Sequence, residues 1–296
     1  MNIAIFTESY APSTGFVPSE SFLLAQSYRQ LGHRAAVVTC DPKCKKIEAR
    51  RTVVKVPGKP APNQYGFAPS KNRKADQAEL FSALEAYEFD LVHVFSCGKM
   101  AVHGMQFANR FDLPLVLSIS DFYEDAIPYL TNTKLLEPWA AFRQKARFRD
   151  IADYADMITS TNKKAGDYLA SAGIKRKLSL IPIHADPERF SRQNADPDQV
   201  NAVRMKYHLT DKTVAVFAGR LLYEKGVDIL LQRWASHLKL ERGLRLLIVG
   251  TGPEKAALQQ LSKSLNLDKQ VIFTGEVMNK DMPAYYAASD LFVSAS

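Results

Sequence analysis

Short apolar runs recur along the chain at Ile3–Phe6, Ala35–Thr39, Leu91–Phe95, Leu115–Ile119, Met157–Ser160 and Leu178–Ile181, with helix-period segments between them. Runs this continuous in apolar content suit strands buried on both faces, as in a parallel sheet covered by helices; a sheet with one wet face would alternate. The stretch from Asp186 to Val200 carries two prolines and several turn formers, and it interrupts the rhythm before a helix that ends near His208. The pattern restarts with Val214–Ala218, a helix from about Lys225 to His237, Leu244–Val249, a helix from Pro253 to Leu265, Val271–Phe273 and Leu291–Val293. This predicts an α/β protein of two Rossmann-like doubly wound domains, residues 1–190 and 191–296. The second is small and stops just after a strand, where a site residue is expected, so it reads as incomplete.

Composition narrows the class. With 296 residues, 46% hydrophobic and 24% charged, the chain has material for two cores, and disorder or low complexity is excluded. No run approaches the roughly 18 apolar residues of a membrane span, and Met1 leads straight into the strand-like NIAIF. A cytoplasmic protein without a cleaved signal is expected. Cys40, Cys44 and Cys97 form an odd set with no metal-ligand spacing, which fits a reducing compartment and not structural zinc. His93 in LVHVF reads as a sheet-end histidine, since no second ligand is spaced for it. The 39 Lys and Arg against 31 Asp and Glu give a net charge of +8, which favours an anionic partner without naming it.

Two loops carry candidate chemistry. TESYAPSTGFVPSES joins the first strand to a helix that Pro18 and Ser19 would start, and Gly15 there permits close backbone approach to a phosphate. The stronger loop runs from Gly219 to Asp228 after Val214–Ala218, with Arg220 and Lys225 on either side of one turn. A guanidinium and an ammonium near a helix start can neutralise a diphosphate leaving group without metal; a solvated basic loop with Glu224 paired to a neighbour is the plainer alternative. Gly250-Thr251-Gly252-Pro253-Glu254 lacks the third glycine of the dinucleotide fingerprint, and no GxxxxGK[ST] loop occurs.

FAGRLLYEKGVDILL, LLIVGTGPE, VIFTGEV and MPAYYAASDLFVSAS, preceded by FTESYAPSTGFV, FDLVHVFS, LPLVLSISDFYEDAIPYL and IPIHADPERF, resemble in order the GT-B glycosyltransferases of the large retaining family-four type. The flavour is that of the diacylglycerol glucosyltransferases and other lipid glycosyltransferases. The resemblance implies two GT-B domains facing a cleft, residues 1–190 on the acceptor side and 191–296 binding the nucleotide sugar. It places Gly219, Arg220 and Lys225 at the donor diphosphate, with Gly15 in the loop facing donor and acceptor. It also implies transfer of a hexose such as glucose, with retention, from a nucleotide diphosphate sugar to a lipid or cell-envelope acceptor, with no metal or other cofactor and no nucleic acid partner.

Three departures from the family pattern stand out. A histidine that commonly contacts the donor sugar is replaced around Ser120 and Asp121, where a hydroxyl or carboxylate can touch the sugar but not act as imidazole. The turn between domains reads Pro182-Ile183-His184-Ala185-Asp186, and the family's pair of glutamates spaced eight apart would fall past Ser296. The chain therefore reads as truncated, and a non-catalytic relative that partners or regulates an active transferase is the competing reading.

KLLEPWAAFRQKARFRD, residues 134–150, adds a helix with Leu135, Trp139, Phe142 and Ala146 on one face and Arg143, Lys145, Arg147 and Arg149 beside it. Its five basic and two acidic residues are the composition of an interfacial helix, so Trp139, Phe142, Arg143, Lys145 and Arg147 are expected to touch an anionic membrane surface, on the inner face of the cell membrane. Packing of the same apolar face on the helix's own sheet is the alternative. The run Lys43, Lys45, Lys46, Arg50 and Arg51 reads as a solvated loop.

Overall fold

The computed structural model describes residues 1–8, 10, 16–60, 67–69, 74–95, 97–119, 135, 137–182, 186–237 and 241–295. The chain divides into two units, Met1–Ile183 and His184–Ser296. The first contains strands β1 (Asn2–Thr7), β2 (Arg34–Asp41), β3 (Glu48–Arg50), β4 (Val53–Pro60), β5 (Phe67–Pro69), β6 (Leu91–Phe95), β7 (Leu115–Ile119), β8 (Met157–Ser160) and β9 (Leu178–Leu180). Its helices are α1 (Phe16–Gln30), α2 (Lys74–Glu85), α3 (Lys99–Phe111), α4 (Glu137–Tyr154) and α5 (Lys164–Ser171). The sheet order is β3-β4-β2-β1-β6-β7-β8-β9, with β5 paired to β4. From β4 to β9 every pairing is parallel, and β3 and β5 run antiparallel to β4.

Continuous apolar content in β1 follows from burial on both sides. Ala4 and Phe6 join Val94, Leu117, Phe107 and Phe148 under α3 and α4, whereas Ile3 and Ile5 join Val37, Ala25 and Tyr28 under α1. A polar thread crosses the α1 face. Tyr28 Oη lies 3.2 Å from His93 Nδ1, His93 Nε2 lies 2.7 Å from Ser118 Oγ, and Ser118 Oγ lies 2.7 Å from Thr159 Oγ1. His93 is therefore not a sheet-end residue: it sits mid-strand, stacked on Phe95, and burial pushes its pKa down to about 4.

One further expectation changes, and one alternative falls away. The basic run is not simply a loop, because Glu48–Arg50 forms an edge strand on β4, and Lys55 of β4 reaches Asp41 of β2 at 2.8 Å. Pro57, Gly58 and Pro60 disguised β4, since these residues usually mark turns. The alternative of packing the apolar face of the basic helix on its own sheet does not hold for its amino-terminal half. Phe148, Ile151 and Ala152 carry α4 into the core, while Leu135, Trp139 and Phe142 are 90%, 60% and 73% exposed.

The second unit holds α6 (Pro197–Lys206), β10 (Thr213–Ala218), α7 (Val227–His237), β11 (Leu244–Val249), α8 (Lys255–Ser264), β12 (Val271–Gly275), α9 (Met282–Ala287) and β13 (Leu291–Phe292). Its strands are all parallel in the order β12-β11-β10-β13. The division falls ahead of the expected 190/191 boundary for a physical reason: Arg189 donates to the Asn279 carbonyl at 2.6 Å and Arg192 to the Ser289 carbonyl at 2.7 Å, so this segment is fastened to the second unit.

The two faces of α4 make opposite predictions. Phe148→Ala should cost about 3–5 kcal/mol in chemical denaturation, as removal of a buried aromatic does. Phe142→Ala should change stability by less than about 0.5 kcal/mol, and equal losses would show that Phe142 is packed after all.

Candidate functional site

In the second unit the candidate site is built on backbone before side chains. After β10 the chain is stitched to the loop after β11: Gly219 N donates to the Val249 carbonyl at 3.0 Å, Leu221 N to Thr251 at 3.0 Å, and Glu254 N to Leu221 at 3.2 Å. Both glycines of Gly250-Thr251-Gly252 are required by this approach, since a Cβ at 250 would overlap the Gly219 carbonyl and one at 252 the Leu221 carbonyl. Buried Leu221 and Leu222 anchor the loop from below, leaving Arg220 and Lys225 partly exposed on either side.

A short 3-10 turn over Tyr223–Lys225 then closes on Gly226, whose left-handed backbone, φ 57° and ψ 26°, starts α7. The first N–H groups of α7 have no carbonyl within the helix to bond, so they add positive potential beside Lys225.

Strand order explains why this is the place for a ligand. β10 leads through α7 to β11 on one side, while β13 arrives on its other side, so the loops after β10 and β13 bracket the switch point of the sheet. They touch there: a Cβ on Gly226 would lie 2.6 Å from the Ala295 carbonyl oxygen. Val293 N bonds the Val216 carbonyl at 2.9 Å, which continues the pairing of β13 and β10 up to the site. Arg220, Lys225, the start of α7 and the Val293–Ala295 backbone thus all lie past the carboxyl ends of β10 and β13 at this switch point.

The first unit has its own switch point between β1 and β6. Sequence reading missed the two residues that mark it. Glu8, just past β1, accepts a hydrogen bond from Met100 N at the start of α3, 3.0 Å away, and Lys99 stands beside it. Burial lowers the Lys99 pKa, and so does the charge of Lys59, Arg147 and Arg143. Among the described residues these four cations form no ion pair; Arg143 instead lies over the Trp139 ring at 4.8 Å and Arg147 donates to Gln144 at 2.7 Å. The only sequence signal for Glu8 was a carboxylate directly after a buried strand. Burial, with the Glu8 charge behind it, pushes the Cys40 and Cys97 thiols up, which keeps them protonated and unreactive. Gly15, Ser120, Asp121 and His184 lie outside the described residues.

Comparison with known proteins shows the family and the fold. The family model described as Glycosyltransferase Family 4 matches residues 22–189, and that described as Glycosyl transferases group 1 matches residues 201–296. The chain belongs to glycosyltransferase family 4. This family 4 glycosyltransferase is 24% identical over 300 residues to an alpha-monoglucosyldiacylglycerol synthase of Streptococcus pneumoniae, covering 100% of the chain and 66% of that protein. It is 27% identical over 309 residues to the Acholeplasma laidlawii protein of the same name, covering 100% of the chain and 75% of the relative. The chain thus spans only part of these relatives' length, 66% of the one and 75% of the other.

Its fold is GT-B. Sucrose-phosphate synthase from Thermosynechococcus elongatus superposes with a TM-score of 0.72 at 18% identity, covering 98% of the chain and 74% of that structure. Anabaena HepE in complex with UDP and glucose gives 0.70 at 19% identity, over 100% and 74%.

The glycine that starts α7 combines a left-handed backbone with a close approach to the loop after β13 in the glycosyltransferase's second unit. Gly226→Val should destabilise it by about 1–3 kcal/mol, because a β-branched residue resists positive φ and its Cβ meets Ala295. An unchanged thermal midpoint would show that the loop after β13 does not press on α7.

Proposed function

We propose that this glycosyltransferase moves a hexose such as glucose from a nucleotide diphosphate sugar to a membrane lipid or other cell-envelope acceptor, retaining the anomeric configuration and using no metal. The observation that carries the reading is the place of Arg220 and Lys225 on the loop that joins β10 to α7 at the switch point. Cleavage of the bond between sugar and phosphate builds positive charge on the sugar and negative charge on the departing diphosphate. Fixed cations and unpaired helix N–H groups stabilise that second charge most as it develops, which is the condition for lowering the barrier. Gly219 and Gly15 admit the phosphates closely, and Ser120 or Asp121 touches the sugar.

The acceptor side of this reading is supported by α4 and by the two relatives, both of which are named for a glucosyldiacylglycerol product. Trp139 and Phe142 point away from the core with Arg143, Lys145 and Arg147 around them, which is the arrangement of a helix lying on an anionic lipid surface. No helix among the described residues is long and apolar enough to cross a membrane, so contact at the surface is the form the reading takes. Residues 1–190 then present the acceptor. A second reading, a non-catalytic relative that partners an active transferase, is favoured by one observation: Ser120 stands where the family commonly has histidine.

Two measurements test the proposal. Lys225→Ala should lower turnover of UDP-glucose or GDP-mannose by about 10²–10³ with an unchanged thermal midpoint, as loss of one transition-state cation does; equal activity removes the donor assignment, and donor binding without turnover in the parent chain selects the non-catalytic reading. In flotation, the protein should rise with vesicles containing phosphatidylglycerol and stay down with neutral ones, and Trp139→Ala with Phe142→Ala should abolish the difference. Indifference to lipid charge would refute the membrane contact.

A further inference from the structure

A cavity of about 540 Å³ opens at the amino-terminal edge of the first sheet, at the other end of the strands from Glu8 and Lys99. Its floor is apolar, with Ala35, Ala36 and Phe89 buried and Tyr87 stacked on Phe89 at 5.3 Å between ring centroids. Its rim is cationic, with three arginines and His33 against one carboxylate, Glu88.

The arginines are not equivalent. Arg29 is committed to the fold, giving Nε and one terminal nitrogen to the Ala35 carbonyl at 3.2 and 2.9 Å. Arg34 gives only Nε, to Asn2 Oδ1 at 2.7 Å, and keeps both terminal nitrogens of its fork. Among the described residues, Arg51 makes no hydrogen bond or ion pair. The walls are fixed without a ligand: Asn2 Nδ2 donates to the Glu88 carbonyl at 2.8 Å, and the Tyr87 hydroxyl donates to the Arg50 carbonyl at 2.8 Å.

We propose that this cavity binds a small phosphorylated metabolite, with the phosphate between Arg34 and Arg51 and the body of the molecule against Tyr87 and Phe89. Two guanidinium forks offer planar pairs of donors to a multiply charged oxyanion, which a single carboxylate would not fill. The volume exceeds that of phosphate alone and falls in the range of small-molecule sites, and the apolar floor suits the rest of a sugar or nucleoside. Because the walls are preformed, little ordering opposes binding. The site belongs to the first unit, whereas Arg220 and Lys225 belong to the second, so it stands or falls separately from the donor site.

Calorimetry on the full chain carrying Arg220→Ala and Lys225→Ala, which silences the donor loop, tests it with glucose 6-phosphate and UMP as probes. At least one should bind saturably, with glucose and uridine giving no heat. Arg51 has no bond to lose among the described residues, so Arg51→Glu should stay folded and weaken binding at least tenfold. Lys45→Glu, the same charge change outside the cavity, should leave it unchanged. Absence of binding by both probes, persistence in Arg51→Glu, or an equal loss in Lys45→Glu would overturn the proposal.

Discussion

Everything proposed for the second unit depends on one contact between two backbones. The loop after β10 and the loop after β11 exchange three hydrogen bonds, and they come close enough to do so only because residues 250 and 252 carry no side chain. That contact holds Leu221 and Leu222 down, and the buried leucines in turn set where Arg220 leaves the loop and where the turn to Lys225 begins. A pair of cations on a free loop would lose much of its electrostatic value to reorganisation, whereas a pair on a pinned loop acts at once on charge as it develops. The glycines that fail to make a dinucleotide fingerprint serve instead to fasten the turn that carries Arg220.

The strand plan was legible because burial on both faces leaves continuous apolar runs, and β1, β2, β6, β7, β8, β10, β11 and β12 all carry that mark. β3, β4 and β5 were not legible. They form the margin of the sheet, where Glu48–Arg50 is largely solvated and where proline and glycine interrupt VVKVPGKP. Arg220 and Lys225 were readable from spacing along a loop, but Glu8 and the cations around Lys99 come together only through strand order. Helical periodicity picked out the apolar stripe of α4 at its amino-terminal half, yet the half that packs is the other one, through Phe148 and Ile151. Periodicity reports that a helix has an apolar face; it does not report which turns of it find a partner.

That division of labour within α4 gives the helix two jobs at once. Its carboxyl-terminal turns belong to the core, so the helix is rigidly held, and its amino-terminal turns then present Trp139, Phe142 and the stacked Arg143 on a firm base. Leu135 continues the same exposed stretch ahead of the helix.

The thread from Tyr28 through His93 and Ser118 to Thr159 has a consequence for how the sheet assembles. Each hydrogen bond contributes about 1 kcal/mol net, so the thread adds modest stability. Yet Ser118 meets Thr159 only because these two residues face each other in the pairing of β7 with β8, among neighbours that are otherwise interchangeable leucines, valines and isoleucines. Sliding either strand by a single position would drive its hydroxyl into the hydrocarbon beneath α3 and α4. The polar groups therefore act as a key cut into an oily lock, rejecting the misaligned sheets that greasy side chains alone would accept.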